Sequence, residues 1–184
     1  MRAGIIQDEH VVLLCRDVEP GSSPTTIPCR PLHAENINDC FEIVSKHISQ
    51  QGGSEVIGWA IWEWPSVMVE AEFHSVWKSP EGELICLAPR PIPFDEITFL
   101  PSAAARYEGR QVDNVRHPLS KDNDIVRFIF LAKQRFALFN RGERAYQHGA
   151  ILLRESEVKE LNRIEKEMHA LHKRLSRRCK ASDF

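Results

Sequence analysis

Between residues 54 and 87 the hydrophobic period of the chain changes from that of a helix to that of a strand, directly after the pair Gly52-Gly53. Val56-Ile-Gly-Trp-Ala-Ile-Trp-Glu-Trp64 is rich in β-branched and aromatic residues, Pro65-Ser66 is a turn pair, and Val67 to Trp77 repeats the pattern. Such residues suit a pleated, half-buried surface, and a turn this short makes the two strands antiparallel neighbours. Ser79-Pro-Glu-Gly82 supplies a second turn and Glu83 to Leu87 a third strand, which Pro89, Pro91 and Pro93 end by withdrawing backbone donors. The stretch restricts the chain to folds built around an antiparallel sheet.

The flanks fit around that sheet. His10 to Arg16 is a short apolar run and predicts a strand; Glu19 to Pro31, with four prolines, predicts an extended connector in which Cys29 is incidental. Asn36 or Asn38 can cap a helix, and Phe41, Val44 and Ile48 form its apolar stripe to about Gln50, where the two glycines stop it. Ile97 to Leu100 predicts a further short edge strand, 102–106 a brief helix, and Tyr107 to Asn123 a loop. Asp124 caps a helix over 125–140 that is apolar nearly all round, and Asn140-Arg-Gly142 ends it. Glu155 to Lys180 is the longest helix, with Val158, Leu161, Ile164, Met168, Leu171 and Leu175 in a seam. The seam suits packing on its own domain, an antiparallel partner helix, or a homodimer, and the basic end suits a helix C-terminus. The expected fold is α+β, an antiparallel sheet of about four strands with a cysteine-bearing helix packed on it. Residues 1–150 form one domain with its core at 33–100, and 151–184 the C-terminal helix.

Composition narrows the partners. With a net charge of -2 there is no bulk attraction to nucleic acid or to a membrane surface, and no apolar run is long enough to span a bilayer. Val11 to Cys15 is too short for a signal-peptide core. Five cysteines, at 15, 29, 40, 86 and 179, are an odd number without a Cys-x-x-Cys pair, which predicts reduced thiols in a cytoplasmic protein. Gly52-Gly53 is neither a Walker loop nor a dinucleotide fingerprint, and no cofactor is expected.

Two residues carry the candidate chemistry. Cys40 falls in the first turn of its helix, where the helix dipole favours a thiolate. His74 shares one face of its strand with Glu70, Glu72 and Val76. A thiol nucleophile, an imidazole as base and acid, a group orienting the imidazole and donors for the oxyanion make up a cysteine hydrolase or transferase. Across the second turn from His74, the orienting position holds Cys86, which does not hold an imidazolium as a carboxylate does.

The run His74-Ser-Val-Trp77, a turn with Gly82, and a strand ending Ala88-Pro89 resembles the papain-like and transglutaminase-like core, where His-Ala-Trp is followed across a hairpin by Val-Asp-Pro. The likeness covers roughly residues 36–90, and the wider pattern Gly58-Trp-Ala-Ile-Trp-Glu63 with Glu70-Ala-Glu-Phe-His-Ser-Val-Trp77 is similar to a group of uncharacterised bacterial and phage proteins. It implies catalytic Cys40 and His74 and an acid at the third position, where this chain has Cys86; Glu72, Glu70 and Asp95 are the replacements at hand. The Cys40 amide, Asn36, Asn38 and the Trp59 indole are the candidate oxyanion and substrate-binding groups. The reaction expected is attack on an amide or acyl bond of a peptide, protein or small amide. Two other readings stand beside it. His33, Cys40, His74 and Cys86 could converge as zinc ligands, or the tryptophan hairpin could serve a non-catalytic binding or adaptor protein, with His74 in the core.

Overall fold

The order of elements in the computed structural model is β1 (Arg2–Ala3), α1 (Glu9–Val18), β2 (Thr25–Pro28), α2 (Cys40–Gln51), β3 (Ser54–Trp64), β4 (Met68–Lys78), β5 (Leu84–Ile85), β6 (Glu96–Pro101), β7 (Val115–Pro118), α3 (Asn123–Phe139) and α4 (Glu155–Ser182). A short 3-10 helix, Gly142–Tyr146, lies between α3 and α4. Residues 1–32, 39–147 and 149–182 are described, without the side chains of 179–182. The predicted caps Asn36 and Asn38, and His33, lie outside the described residues. The fold is α+β with an antiparallel sheet, but the sheet has seven strands instead of about four. Its path is β2-β6-β3-β4-β5, with β1 beside β3 and β7 beside β4. The additional strands β1, β2 and β7 have two to four residues each, too few for a period to show.

Two compact units emerge, Met1–Glu63 with Val69–Tyr107, and Trp64–Met68 with Glu108–Phe184. In the first unit the β3 and β4 strands run eleven residues each, as their β-branched and aromatic content predicts. β6 is interior, contrary to the edge position expected from its length. Ile97 faces Ile27 of β2, and Phe99 faces Thr25 of β2 on one side and Ala60 of β3 on the other. The approach of β3 to β6 explains a glycine: a Cβ on Gly58 would lie 2.2 Å from the Leu100 carbonyl oxygen and 2.8 Å from the Phe99 ring. Ile27, Ala60, Trp62, Val76, Ile97 and Phe99 form one buried cluster, and Cys40, Cys86 and Ala88 belong to it.

The run from His10 to Arg16 is helical, not a strand. Val11, Leu14 and Cys15 are buried at helical spacing, while Val12 and Leu13 between them are 38% and 47% exposed. Five consecutive apolar residues hide which period applies, and tertiary burial decides it. α2 follows its expectation, from Cys40 to a stop at Gly52, where φ is 74°. Its buried face is Cys40, Ile43 and Val44. The expected brief helix at 102–106 is absent, and the expected loop after Tyr107 contains β7.

In the second unit α3 begins two residues earlier than expected, on an Asp122 cap that accepts from the Asp124 amide at 2.7 Å. It is two-faced: Ile125, Ile129, Leu131 and Leu138 are buried, but Val126 and Phe130 are about half exposed. α4 lies antiparallel to it, since Arg174 and Arg178 near its end pair with Asp122 and Asp124 at the start of α3. Leu131, Ile164 and Leu171 form one cluster, and Val67, Met68, Ile125, Ile129 and Leu175 another. The seam of α4 is therefore used inside the chain, as an antiparallel partner of α3, and the two helices share one unit with β7. Among the described residues no helix is long and apolar enough to cross a membrane.

Candidate active site

β4 alternates its side chains, so Glu70, Glu72, His74 and Val76 leave the strand on one side. The four meet different surroundings. Glu72 accepts from the Trp62 indole at 2.6 Å and pairs with Arg90 at 3.1 Å, and the Arg90 guanidinium lies 4.4 Å from the centre of the Trp62 ring. Glu70 and Glu72 line an open cavity of about 300 Å³ with Trp62, Arg90, Ile92 and Phe94. His74, two residues on, is 1% exposed and sits within the core.

Its Nε2 lies 3.3 Å from Cys86 Sγ. Nδ1 is buried and has no aligned hydrogen-bond partner, yet the Cys40 sulfur is near enough to interact with the ring. Burial works against a charged imidazole here, but the Cys40 and Cys86 sulfurs outweigh it and raise the His74 pKa to about 10. The thiol of Cys86 is shifted the other way, to about 4. A hydrogen bond from Cys29 is the largest cause, opposed by burial and reinforced by His74 and the Ala88 amide. Cys29, as the donor, is pushed up. Both shifts favour the charged forms, imidazolium on His74 and thiolate on Cys86, at this contact.

Local chain geometry accounts for each partner. Cys40 is the first residue of α2, after an Asp39 N-cap, so the amides of this first turn have no carbonyl of their own helix to bind. Cys86 follows β5, the strand paired with β4 through Trp77–Ile85 and Lys78–Leu84. Ser79 N–H to the Glu83 carbonyl and Gly82 N–H to the Ser79 carbonyl close the turn between them. Cys29 is not incidental. It forms a parallel bridge with Cys86, framed by Cys86 N–H to the Pro28 carbonyl at 3.0 Å and Arg30 N–H to the Cys86 carbonyl at 2.9 Å.

The remaining site residues divide. Glu72 is committed to Trp62 and Arg90 and is not the group on the imidazole; Glu70 faces the cavity, and the Asp95 carbonyl accepts from the Cys29 amide. Trp59 is half-buried and meets the edge of Phe73 at 5.2 Å, part of an aromatic cluster with Phe41 next to Cys40. Asn36 and Asn38 fall outside the described residues. Of the four zinc candidates His33 is likewise outside, and the other three do not bring their ligand atoms within 4.8 Å of one another; among the described residues only Asp8, His10 and Glu63 do. Glu63 there already binds Arg2 through both carboxylate oxygens, an ion-pair cluster.

Tyr107 was not anticipated. It stacks on Phe41 at 3.8 Å, and burial, then the charges of Cys40 and Asp39, raise its pKa. Its aromatic ring in a polar stretch was the available signal. Cys29 offered less, since nothing in Pro28-Cys-Arg-Pro31 marks a strand partner 57 residues away.

Fold and site together define an α+β protein with a buried histidine held between two cysteines. The chain finds no match among protein-family models, curated proteins or solved structures.

Proposed function

We propose that this chain is a cysteine-dependent hydrolase or transferase acting on an amide or related acyl bond, with Cys40 as nucleophile, His74 as its base and acid, and Cys86 as the orienting anion. The observation that carries it is the division of the imidazole: Nε2 is taken by Cys86 Sγ at 3.3 Å, leaving Nδ1 for Cys40. With one ring nitrogen held, the plane of the ring is held as well. The Cys40 proton rests on Nδ1 of the imidazolium that faces the Cys86 thiolate, so the Cys40 sulfur attacks the carbonyl carbon from an ion pair, and the tetrahedral oxyanion takes the first-turn amides of α2. Nδ1 returns the proton to the leaving amine, and water or an acceptor amine releases the acyl group from sulfur. The cavity holding Glu70 and Glu72 provides acidic groups for a peptide, protein or small amide, and the free thiols fit a cytoplasmic setting.

The depth of the site favours a second reading. His74 and Cys86 are 1% and 0% exposed, as in a core that binds a partner without catalysis. Labelling with a thiol-reactive probe separates the two. The enzyme reading expects one fast-labelling cysteine, lost in Cys40→Ala and slowed at least tenfold in His74→Ala, with acyl transfer from an activated ester. Labelling that merely follows exposure, with partly exposed Cys29 ahead of Cys40, would support the binding protein instead.

A further inference from the structure

Cys29 and Cys86 are residues directly opposite each other in a parallel bridge, so their side chains leave the sheet on the same side. Paired strands stand about 4.8 Å apart, inside the roughly 4.4–6.8 Å Cα separation a disulfide accepts. Both thiols are free, both pack on the same buried cluster, and the Cys29 S–H donates to the Cys86 sulfur. Cys29 is partly exposed, Cys86 is not. The Cys86 sulfur is at the same time the partner of His74 Nε2. One atom therefore serves two neighbours, and a covalent bond to one removes its charge from the other.

We propose that Cys29 and Cys86 form a reversible disulfide that takes the anion away from His74 and thereby switches the thiol site off. The inference rests on the catalytic reading of Cys40 and His74 for its effect, though not for the bond itself. The oxidant class is peroxide. The Cys86 thiolate attacks one peroxide oxygen, forming the S–O bond of a sulfenic acid and releasing hydroxide. The Cys29 proton passes to that hydroxide, and its sulfur displaces a second hydroxide from Cys86. Thiol, thiolate and hydrogen peroxide become one disulfide, one water and one hydroxide; two electrons leave the sulfurs and reduce the peroxide. A dithiol reverses the bond by exchange.

The experiment treats the full chain with hydrogen peroxide and maps its peptides by mass without reduction. A Cys29–Cys86 cross-link, 2 Da lighter than the two thiols, is expected, in Cys40→Ala as well, so that oxidation of Cys40 is not its source. Isotope-labelled His74 should move from imidazolium toward neutral ring resonances on oxidation and return with dithiothreitol. Cys40 labelling should fall at least tenfold and recover with it. Cys29→Ser should form no cross-link, and Cys86 in it should instead carry added oxygen by mass, as the first step requires. A different pairing, no pairing, or a cross-link that leaves the His74 resonances in place overturns the proposal. Failure of the catalytic reading shows separately, as Cys40 labelling indifferent to His74→Ala while the cross-link and the ring shift still appear.

Discussion

Replacing Cys86 by alanine removes the sulfur 3.3 Å from His74 Nε2 and leaves the ring as buried as before. In the intact protein the His74 pKa is raised from 6.5 to about 10. At 1.36 kcal/mol per pH unit, that rise is a preference of roughly 5 kcal/mol for the imidazolium. Cys40 and Cys86 both contribute to it against the opposing effect of burial, so removing one sulfur should lower the pKa. The assay is a pH titration of the labelled His74 imidazole by NMR. Wild-type protein should keep imidazolium resonances through pH 8, and Cys86→Ala should titrate well below the wild-type midpoint. Cys86→Asp, which restores a negative charge at the position, should move the midpoint back up, and Cys86→Ser should not. If Cys86→Ala leaves the midpoint where it was, or if wild-type His74 is already neutral at pH 7, the thiolate–imidazolium description is wrong.

Stability should follow the same pair. The Cys86 pKa is depressed, so its contribution is complete above pH 9 and is lost as pH falls through about 4; that of His74 is raised, so its contribution is complete below pH 6.5 and is lost as pH rises through about 10. Urea midpoints should therefore be highest between about pH 6.5 and 9 and drop on both sides, and a flat profile in wild-type protein would contradict the pair. Glu72→Gln weakens the contacts to Trp62 and Arg90 and should cost roughly 1–2 kcal/mol in urea unfolding, while the pH profile of Cys40 labelling keeps its shape; a displaced profile would return Glu72 to the imidazole. Gly53→Ala places a Cβ 2.3 Å from the Lys78 carbonyl oxygen at a φ of 84°. It should lower stability by roughly 1–3 kcal/mol by urea titration. Leu171→Ala, in the buried seam between α3 and α4, should cost about 2–5 kcal/mol without making the unfolding midpoint depend on protein concentration, as a homodimer seam would.

The long elements were legible because each carries several repeats of its period. β3, β4 and α2 lie where Val56 to Trp64, Val67 to Trp77 and the Cys40 helix were expected, and the two glycines and the Ser79–Gly82 turn fall at their ends. The misreadings share one cause. A two-residue strand such as Arg2–Ala3, or the four residues of Thr25–Pro28, is defined by its neighbours and not by its own pattern. Val11 to Cys15 is apolar at every position, so only the face it finally buries separates helix from strand. The same limit applies to the site. Cys40 and His74 stood out because a helix start and a polar strand face are local properties. Cys29 and Tyr107 did not, because what places them is a bridge to Cys86 and a ring stacked on Phe41, both long-range.

The same limit makes Cys86, read from the sequence, a weak group for the third position. A lone cysteine is mostly a neutral thiol at pH 7, a poor anchor for a cation. Here its charge is supported by the Cys29 S–H, the Ala88 amide and the imidazolium, all brought to it by the fold. A carboxylate in that place would stay charged whatever its neighbours did. A thiolate stays charged only while those donors remain, and it can lose its charge to a bond with one of them. In the proposed mechanism cysteine at position 86 supplies the orienting anion and exposes it to redox control in the same atom. The sharpest test of that coupling is Cys86→Asp: it should keep His74 protonated and Cys40 reactive, and should make both insensitive to peroxide concentrations that silence the wild-type thiol through Cys29.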